Sequence, residues 1–271
     1  MKKGNIFLTT LTLSTAISLF SSCGNLNVAK LESAAQQAAQ LANASTSTKP
    51  AIPALTQEEA ANGLKEALKQ GVAAGVSTLN TAGAFYQNPM RMIPLPPEVK
   101  NVEQKIRNNA LLNAAIGKEL DKAVEAMNRG AENAMVKASP IFVNAITSMS
   151  FADSMKILTG GNGAATNYLS STTKTQLTSA FQPEIKQALD AVSITNYWKP
   201  IITTINKNKL LLGLSSDINP DLESYVTNLA TSALFTEITE RENNLRSSLS
   251  NRNTELLKKV FDFADKNSGT K

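Results

Sequence analysis

Three charged side chains are spaced so that acid–base chemistry can be imagined for them: Arg129, Glu132 and Asp153. Glu125 lies four residues before Arg129 and Glu132 three after it, so all three would share one face of a helix. Paired carboxylates act as general acid and base when their surroundings split their pKa values. A cleft that gathered Glu132 and Asp153 around Arg129 would therefore suit a carboxylate-dependent hydrolase. The same spacings serve ordinary ion pairs worth about 0.2–0.5 kcal/mol each, and a structural ion-pair network is the expected role. A second cluster, Glu240, Arg241, Glu242 and Arg246, has Glu242 and Arg246 four apart in the stabilising orientation. Its expected role is a solvated face; a buried Arg246 would instead suit a carboxylate or phosphate, which its forked guanidinium fits.

Other patterns carry less. Residues 159–163, Thr-Gly-Gly-Asn-Gly, precede a helical pattern, but no Gly-Lys-Ser/Thr follows and no strand precedes, so a helix–helix turn is expected rather than a phosphate loop. Residues 217–223 alternate oxygen side chains like the opening of a calcium loop. The turn glycine and the twelfth-position glutamate are replaced by Leu222 and Asn228, which rejects an EF-hand. The chain has no histidine and one cysteine. A Ser-His-Asp triad is excluded, and so are zinc sites built on histidine. No cofactor or metal is expected. A formal charge of +5 spread over 271 residues lacks the clustered Lys/Arg of a nucleic-acid footprint.

The single cysteine, Cys23, closes an N-terminal pattern. Lys2 and Lys3 give a basic start, an apolar stretch with several hydroxyls runs from Ile6 to Phe20, and Ser21 and Ser22 precede the thiol. The run is shorter than the about 20 apolar residues a span requires, and it reads as an export signal. Its end resembles the lipobox of bacterial lipoproteins. That resemblance implies cleavage after residue 22, lipidation of Cys23 and no remaining free thiol. Gly24, Asn25 and Leu26 follow; with no acid at the second position, the resemblance implies an outer-membrane address, facing the periplasm. Two or more acyl chains hold a protein stably on a bilayer.

The elements that must position these residues are helical. Residues 23–55 read as a lipidated tether, Ser/Thr/Pro-rich from Ser45 to Pro53. Thr56 and Glu59 fit a capping box ahead of apolar residues at helical spacing, Leu64, Leu68, Val72, Val76 and Leu79. Gly71 and Gly75 on that helix imply close approach by another backbone. Prolines at 89, 94, 96 and 97 break the pattern, with Pro97 opening a helix to Asn108 and another running from about 112 to 138. Ser139 and Pro140 read as N-cap and first helical residue. Ser150 and Asp153 start a helix that Gly160 and Gly161 stop. Helices are predicted over 164–181, 183–193 and 195–208, with Pro183 at a junction. Asn219 and Pro220 open the next, and Asn251 caps the last. Leu210–Leu214 is the one short strand candidate.

Several stretches in this order resemble a family of bacterial exported proteins catalogued as domain of unknown function 4197. They are Ile93-Pro-Leu-Pro96, Met127-Asn-Arg-Gly-Ala-Glu132, Ser139-Pro-Ile-Phe142, Met149 to Gly160, Thr166-Asn-Tyr-Leu169, Phe181-Gln-Pro183, Tyr225-Val-Thr227, Leu234-Phe235 and Arg252 to Phe261. The resemblance covers about 57–263. It implies a helical, exported, often lipidated protein and no known activity. Tyr168, within one of these stretches, joins Arg129, Glu132, Asp153, Arg241, Glu242 and Arg246 as a candidate binding residue.

The expected protein is all-α. A signal peptide (1–22) and a tether (23–55) precede one multi-helix, bundle-like domain (56–264), and a flexible tail (265–271) follows. The expected function is partner or small-ligand binding without chemistry, beside a membrane to which the lipid holds it. The partner would be an envelope protein or a small apolar or anionic ligand, not nucleic acid. The rival is the carboxylate-dependent hydrolase, which requires Glu132 or Asp153 in a pocket with a raised pKa. A carrier would show an internal apolar cavity between helices.

Overall fold

A row of every-fourth-residue side chains organises the molecule: Ala165, Leu169, Thr173, Leu177, Phe181, Ile185 and Leu189 are all buried along one helix, Ala164–Ala191. At 3.6 residues per turn such a row drifts by about 40° per step, so over six steps it sweeps about 240° around the axis. That helix therefore meets different neighbours along its length and sits at the centre of the fold. The computed structural model describes residues 55–191, 194–252 and 254–267. The signal, Cys23 and nearly all of the tether lie outside the described residues, as do residues 268–271 of the tail.

In chain order the helices are α1 (Gln57–Leu79), α2 (Pro97–Asn108), α3 (Ala110–Ala134), α4 (Ala138–Thr147), α5 (Phe151–Leu158), α6 (Ala164–Ala191), α7 (Ile194–Lys207), α8 (Lys209–Leu212), α9 (Leu222–Ser247) and α10 (Glu255–Asn267). Among the described residues there is no strand, so the all-α expectation holds. The central α6 packs on α3, α9, α4, α5 and α7, while α1 packs on α4, α5, α9 and α10. The main core joins α1 to the far end of α9 through Phe85, Leu120, Met127, Phe142, Phe181 and Leu234. A smaller cluster, including Leu64, Ile157, Leu158 and Val260, closes the α1–α5–α10 end.

Local signals place many of the starts. The Thr56–Glu59 capping box forms in both directions, as does that of Ser150 and Asp153. Pro97 opens α2, and α5 ends at Leu158, just before the glycine pair.

Elsewhere the tertiary structure overrides the local reading. Pro183 is not a junction: α6 runs through it. An interior proline costs about 3 kcal/mol, but Phe181 and Ile185 on either side are fully buried and hold the helix together. Ser139 and Pro140 lie inside the first turn of α4 rather than ahead of it. A 3₁₀ turn, Met135–Lys137, keeps the chain helical up to that point, and the first turn of an α-helix tolerates proline. Residues 209–212 form a helical turn, not a strand, closed by Gly213 at φ 76° with Leu214 N–H donating to Lys209 C=O at 2.8 Å. Helix α9 starts two residues later than Asn219-Pro220 implies, because Asp221 accepts the Ser224 N–H. Thr254, not Asn251, caps the start of α10 by accepting from Leu257 N–H at 3.1 Å.

The glycine expectation also fails. Gly71 faces open space, and a Cβ at Gly75 would meet the side chain of Arg241 at 3.4 Å rather than a backbone. The close approach is at Gly63, where a Cβ would stand 2.5 Å from Val260 Cγ2. Gly63 thereby sets how closely α1 and α10 pack.

Candidate functional site

Glu132 sits on α3 with its side chain 4% exposed. The segment 80–96 between α1 and α2 turns back over it. One carboxylate oxygen, Oε1, accepts the N–H groups of Gly83, Phe85 and Tyr86 at 3.1, 3.0 and 3.2 Å. The other, Oε2, accepts from Arg129 at 2.9 Å. Gly83 has φ 88°, a conformation only glycine adopts freely, and it aims the turn at the carboxylate. Burial alone would raise the Glu132 pKa; the Phe85, Tyr86 and Gly83 N–H groups and the Arg129 guanidinium outweigh it and hold the carboxyl below its usual range.

One turn earlier, Asn128 reads the backbone of Ile93 as a neighbouring strand would. Its Oδ1 accepts the Ile93 N–H at 2.8 Å and its Nδ2 donates to the Ile93 C=O at 2.9 Å. Arg91 pairs with Glu237 of α9, and the Tyr225 hydroxyl donates to Leu95 C=O at 3.3 Å. The proline-broken segment is thus a pinned strap.

Asp153 does not join this group. It is the reciprocal cap of α5, bonded to the Ser150 hydroxyl at 2.6 Å and to the Ser150 N–H at 3.1 Å, and those bonds hold its carboxyl below the usual range. Tyr168 is partly buried beside the smaller core cluster. Burial, followed by the charge of Asp153, raises its phenol pKa. Neither Glu132 nor Asp153 lines the main cleft or the smaller cavities beside α1 and α3. The raised-pKa condition for the hydrolase is met by neither acid.

Apart from the exposed Glu240, the second cluster is not a solvated face. Glu242 and Arg246 are 6% and 11% exposed. Glu242 accepts the Ala165 and Thr166 N–H groups at 2.9 and 2.8 Å and the Thr166 hydroxyl at 2.8 Å, which caps the N-terminus of α6. Arg246 donates to Glu242 at 2.9 Å and, at 2.9 Å each, to the Gly160 and Ile157 carbonyls at the C-terminal end of α5. A carboxylate satisfies free amides and a guanidinium satisfies free carbonyls, which are the groups helix ends leave unpaired. Arg241 bonds Glu237 at 2.7 Å and the Thr78 hydroxyl at 2.8 Å. Each of these side chains binds another part of this chain.

An open concavity lies elsewhere. A cleft of about 630 Å³ opens between the C-terminal end of α6, helix α7, and the loop leading into α9. Helix α7 lends it an apolar row, Ile194, Trp198 and Ile202, and a polar row, Lys199, Thr203 and Asn206. Asn206 fixes the opposite wall by exchanging two hydrogen bonds with the Ile218 backbone, at 2.9 and 3.0 Å. The Trp198 Nε1–H is buried and has no acceptor among the described residues. Trp198 was not among the sequence candidates. The one available signal was that it is the chain's single tryptophan. The apolar hollow beside Gly71, in contrast, has a volume of about 40 Å³, room for a water and not for the cargo of a carrier.

These features define the class: an all-helical domain with buried charged clamps and an open amphipathic cleft. The chain matches over residues 54–262 the family model described as a protein of unknown function, DUF4197, and belongs to that family. No curated protein and no solved structure matches it. Among the described residues no group of acidic side chains is arranged to hold a metal ion, and no helix is long and apolar enough to cross a membrane.

Proposed function

We propose that this is a lipid-anchored protein of the bacterial cell envelope that binds a small ligand in the α6–α7–α9 cleft without chemistry. The observation that carries the reading is the cleft itself, about 630 Å³ with an apolar and a polar row on α7, while Glu132 and Glu242 are committed to backbone amides and arginines. Ligand sites are concave and mostly apolar, with a few polar groups placed to orient what binds. The anchor is Cys23, the tether spans 23–55, and the address is the periplasmic face of the outer membrane. The hydrolase reading loses its support because backbone and side-chain hydrogen bonds hold the carboxyls of Glu132 and Asp153 below their usual range, the opposite of the raised pKa it requires.

Two measurements test this. Labelling with a palmitate analogue is expected to mark the wild-type chain and not Cys23→Ser; an unmarked wild type removes the anchor. Native mass spectrometry of the purified chain is expected to show a bound small molecule that a bulky change in the cleft, Thr203→Trp, releases. A chain bare under every condition, with no ligand altering Trp198 emission, removes the binding role.

A further inference from the structure

Helix α8 carries an apolar knob. Leu210 and Leu211 are 86% and 63% exposed, while the next residue, Leu212, is 1% exposed and belongs to the main core. The turn is fixed in that pose. Gly213 closes it at φ 76°, its N–H donating to Leu210 C=O at 3.1 Å, and Lys105 of α2 donates to Leu212 C=O at 2.6 Å. Two adjacent leucines on a pinned turn lose little freedom when something covers them.

The charge around the knob is of one sign. From Lys199 to Ser216 the chain carries three lysines and no acid. Two of them, Lys207 and Lys209, lie within three residues of Leu210, and the bond to Leu212 brings in Lys105. Lys207 is exposed, and its side chain takes part in no hydrogen bond or ion pair among the described residues. The first acid, Asp217, is matched by Lys209 at 2.7 Å, so Lys105 and Lys207 leave the knob positive. The other acids of the neighbouring cleft, Asp190, Asp221 and Glu223, belong to α6 and to the head of α9, not to this turn.

Apolar side chains beside lysines suit the boundary of an anionic bilayer, where leucines enter the acyl region and ammonium groups meet lipid phosphates. A protein partner suits the knob less. A specific interface takes about 800 Å² from each side, more than two side chains on a single helical turn present, and a bilayer needs no matching hollow.

We infer that Leu210 and Leu211 insert into the surface of an anionic phospholipid bilayer, with Lys105 and Lys207 on the lipid phosphates. The contact goes beyond the anchor proposed at Cys23 and does not require it. Alongside a lipid at Cys23 it gives the domain a second hold and an orientation, with the α8 end against the membrane.

Cys23 is the single cysteine, so a full-length chain carrying Cys23→Ser and Leu210→Cys has one thiol, at the knob, for a nitrobenzoxadiazole label. The same label on Cys23→Ser with Leu249→Cys is the control. Leu249 is 69% exposed and follows the far end of α9, a helix of 26 residues and about 40 Å. On vesicles of phosphatidylethanolamine and phosphatidylglycerol, emission at 210 is expected to rise saturably and emission at 249 to stay as in water. Phosphatidylcholine vesicles should need about tenfold more lipid. Lys207→Gln should need about fivefold more on the anionic vesicles, the worth of one lysine near such a surface. Leu211→Asp, an exposed change that spares the fold, should abolish the rise. A label at 210 that stays water-like on anionic vesicles overturns the inference. So does an equal response at 249, or an equal titration on phosphatidylcholine. A rise with protein concentration in the absence of lipid assigns the turn to a second copy of this chain and overturns it too. The labelled chain lacks the Cys23 thiol, so a failed palmitate label removes the anchor and leaves this result standing.

Discussion

The two ends of α9 treat charge in opposite ways. Along its C-terminal half, Glu237, Arg241, Glu242 and Arg246 each bond to another part of the chain, and Glu242 and Arg246 join the ends of two other helices. At its N-terminal end the helix walls a cleft that is also lined by Lys199, which has no partner among the described residues. Buried polar groups are nearly always satisfied, so a saturated charged cluster is scaffold however much its composition resembles a catalytic one. Polar side chains left uncommitted along an open cleft are the better pointer to a ligand. The sequence reading ranked these regions the other way, because charged side chains are conspicuous in a sequence and their saturation is not.

Mutations that probe the contrast should fall in a clear order. Glu242→Ala should have the largest effect, about 3–5 kcal/mol in urea unfolding, because it strands a buried guanidinium and uncaps α6. A loss under about 1 kcal/mol, the range of surface ion pairs, would place this pair with them and weaken the contrast. Glu132→Ala should come next, at about 1–3 kcal/mol or more, since it leaves three N–H groups without their acceptor.

Glu132 also gives a pH signature. Its carboxyl is held below the usual range in the folded state. Its stabilisation is therefore present above the unfolded value of about 4.3. It is lost as pH falls through the lower folded value. Glu132→Gln should flatten the acid limb of stability measured by circular dichroism between neutral pH and pH 2. An unchanged limb would mean that other carboxylates carry it.

Asp153→Ala should cost about 1 kcal/mol, the worth of a capping bond at an exposed helix start. A larger loss would assign Asp153 a role beyond the cap. Smallest of all, Lys199→Gln should leave stability within about 0.5 kcal/mol, since no interaction among the described residues depends on it. A destabilising Lys199→Gln would make that end of the molecule scaffold too, and the contrast would vanish.

Much of the fold was legible. The capping boxes at Thr56 and Ser150, Pro97 at the head of α2 and the apolar spacing of Leu64, Leu68, Val72 and Val76 in α1 are signals written within one or two turns of chain. The misreadings have a common cause. Pro183 looks like a break until Phe181 and Ile185 are seen buried on both sides. Gly71 and Gly75 look like a contact seam, yet the contact falls at Gly63, where Val260 arrives from a helix nearly two hundred residues away. The candidate site was legible only as a set of residue types. Glu132 was named by residue type and spacing, but its donors, Gly83, Phe85 and Tyr86, come from a segment nearly fifty residues earlier. Trp198 went unremarked because nothing local says its N–H lacks a partner.

By itself the sequence determined the helical class, most helix starts and the family, since caps, prolines and periodicity act through neighbouring residues and need no partner. It also ruled out histidine chemistry by composition. Only the tertiary structure decided which charged groups were consumed in holding helix ends and which were left facing a cleft. That depends on donors and acceptors brought together from distant parts of the chain, and hydrogen-bond saturation is a property of the folded arrangement.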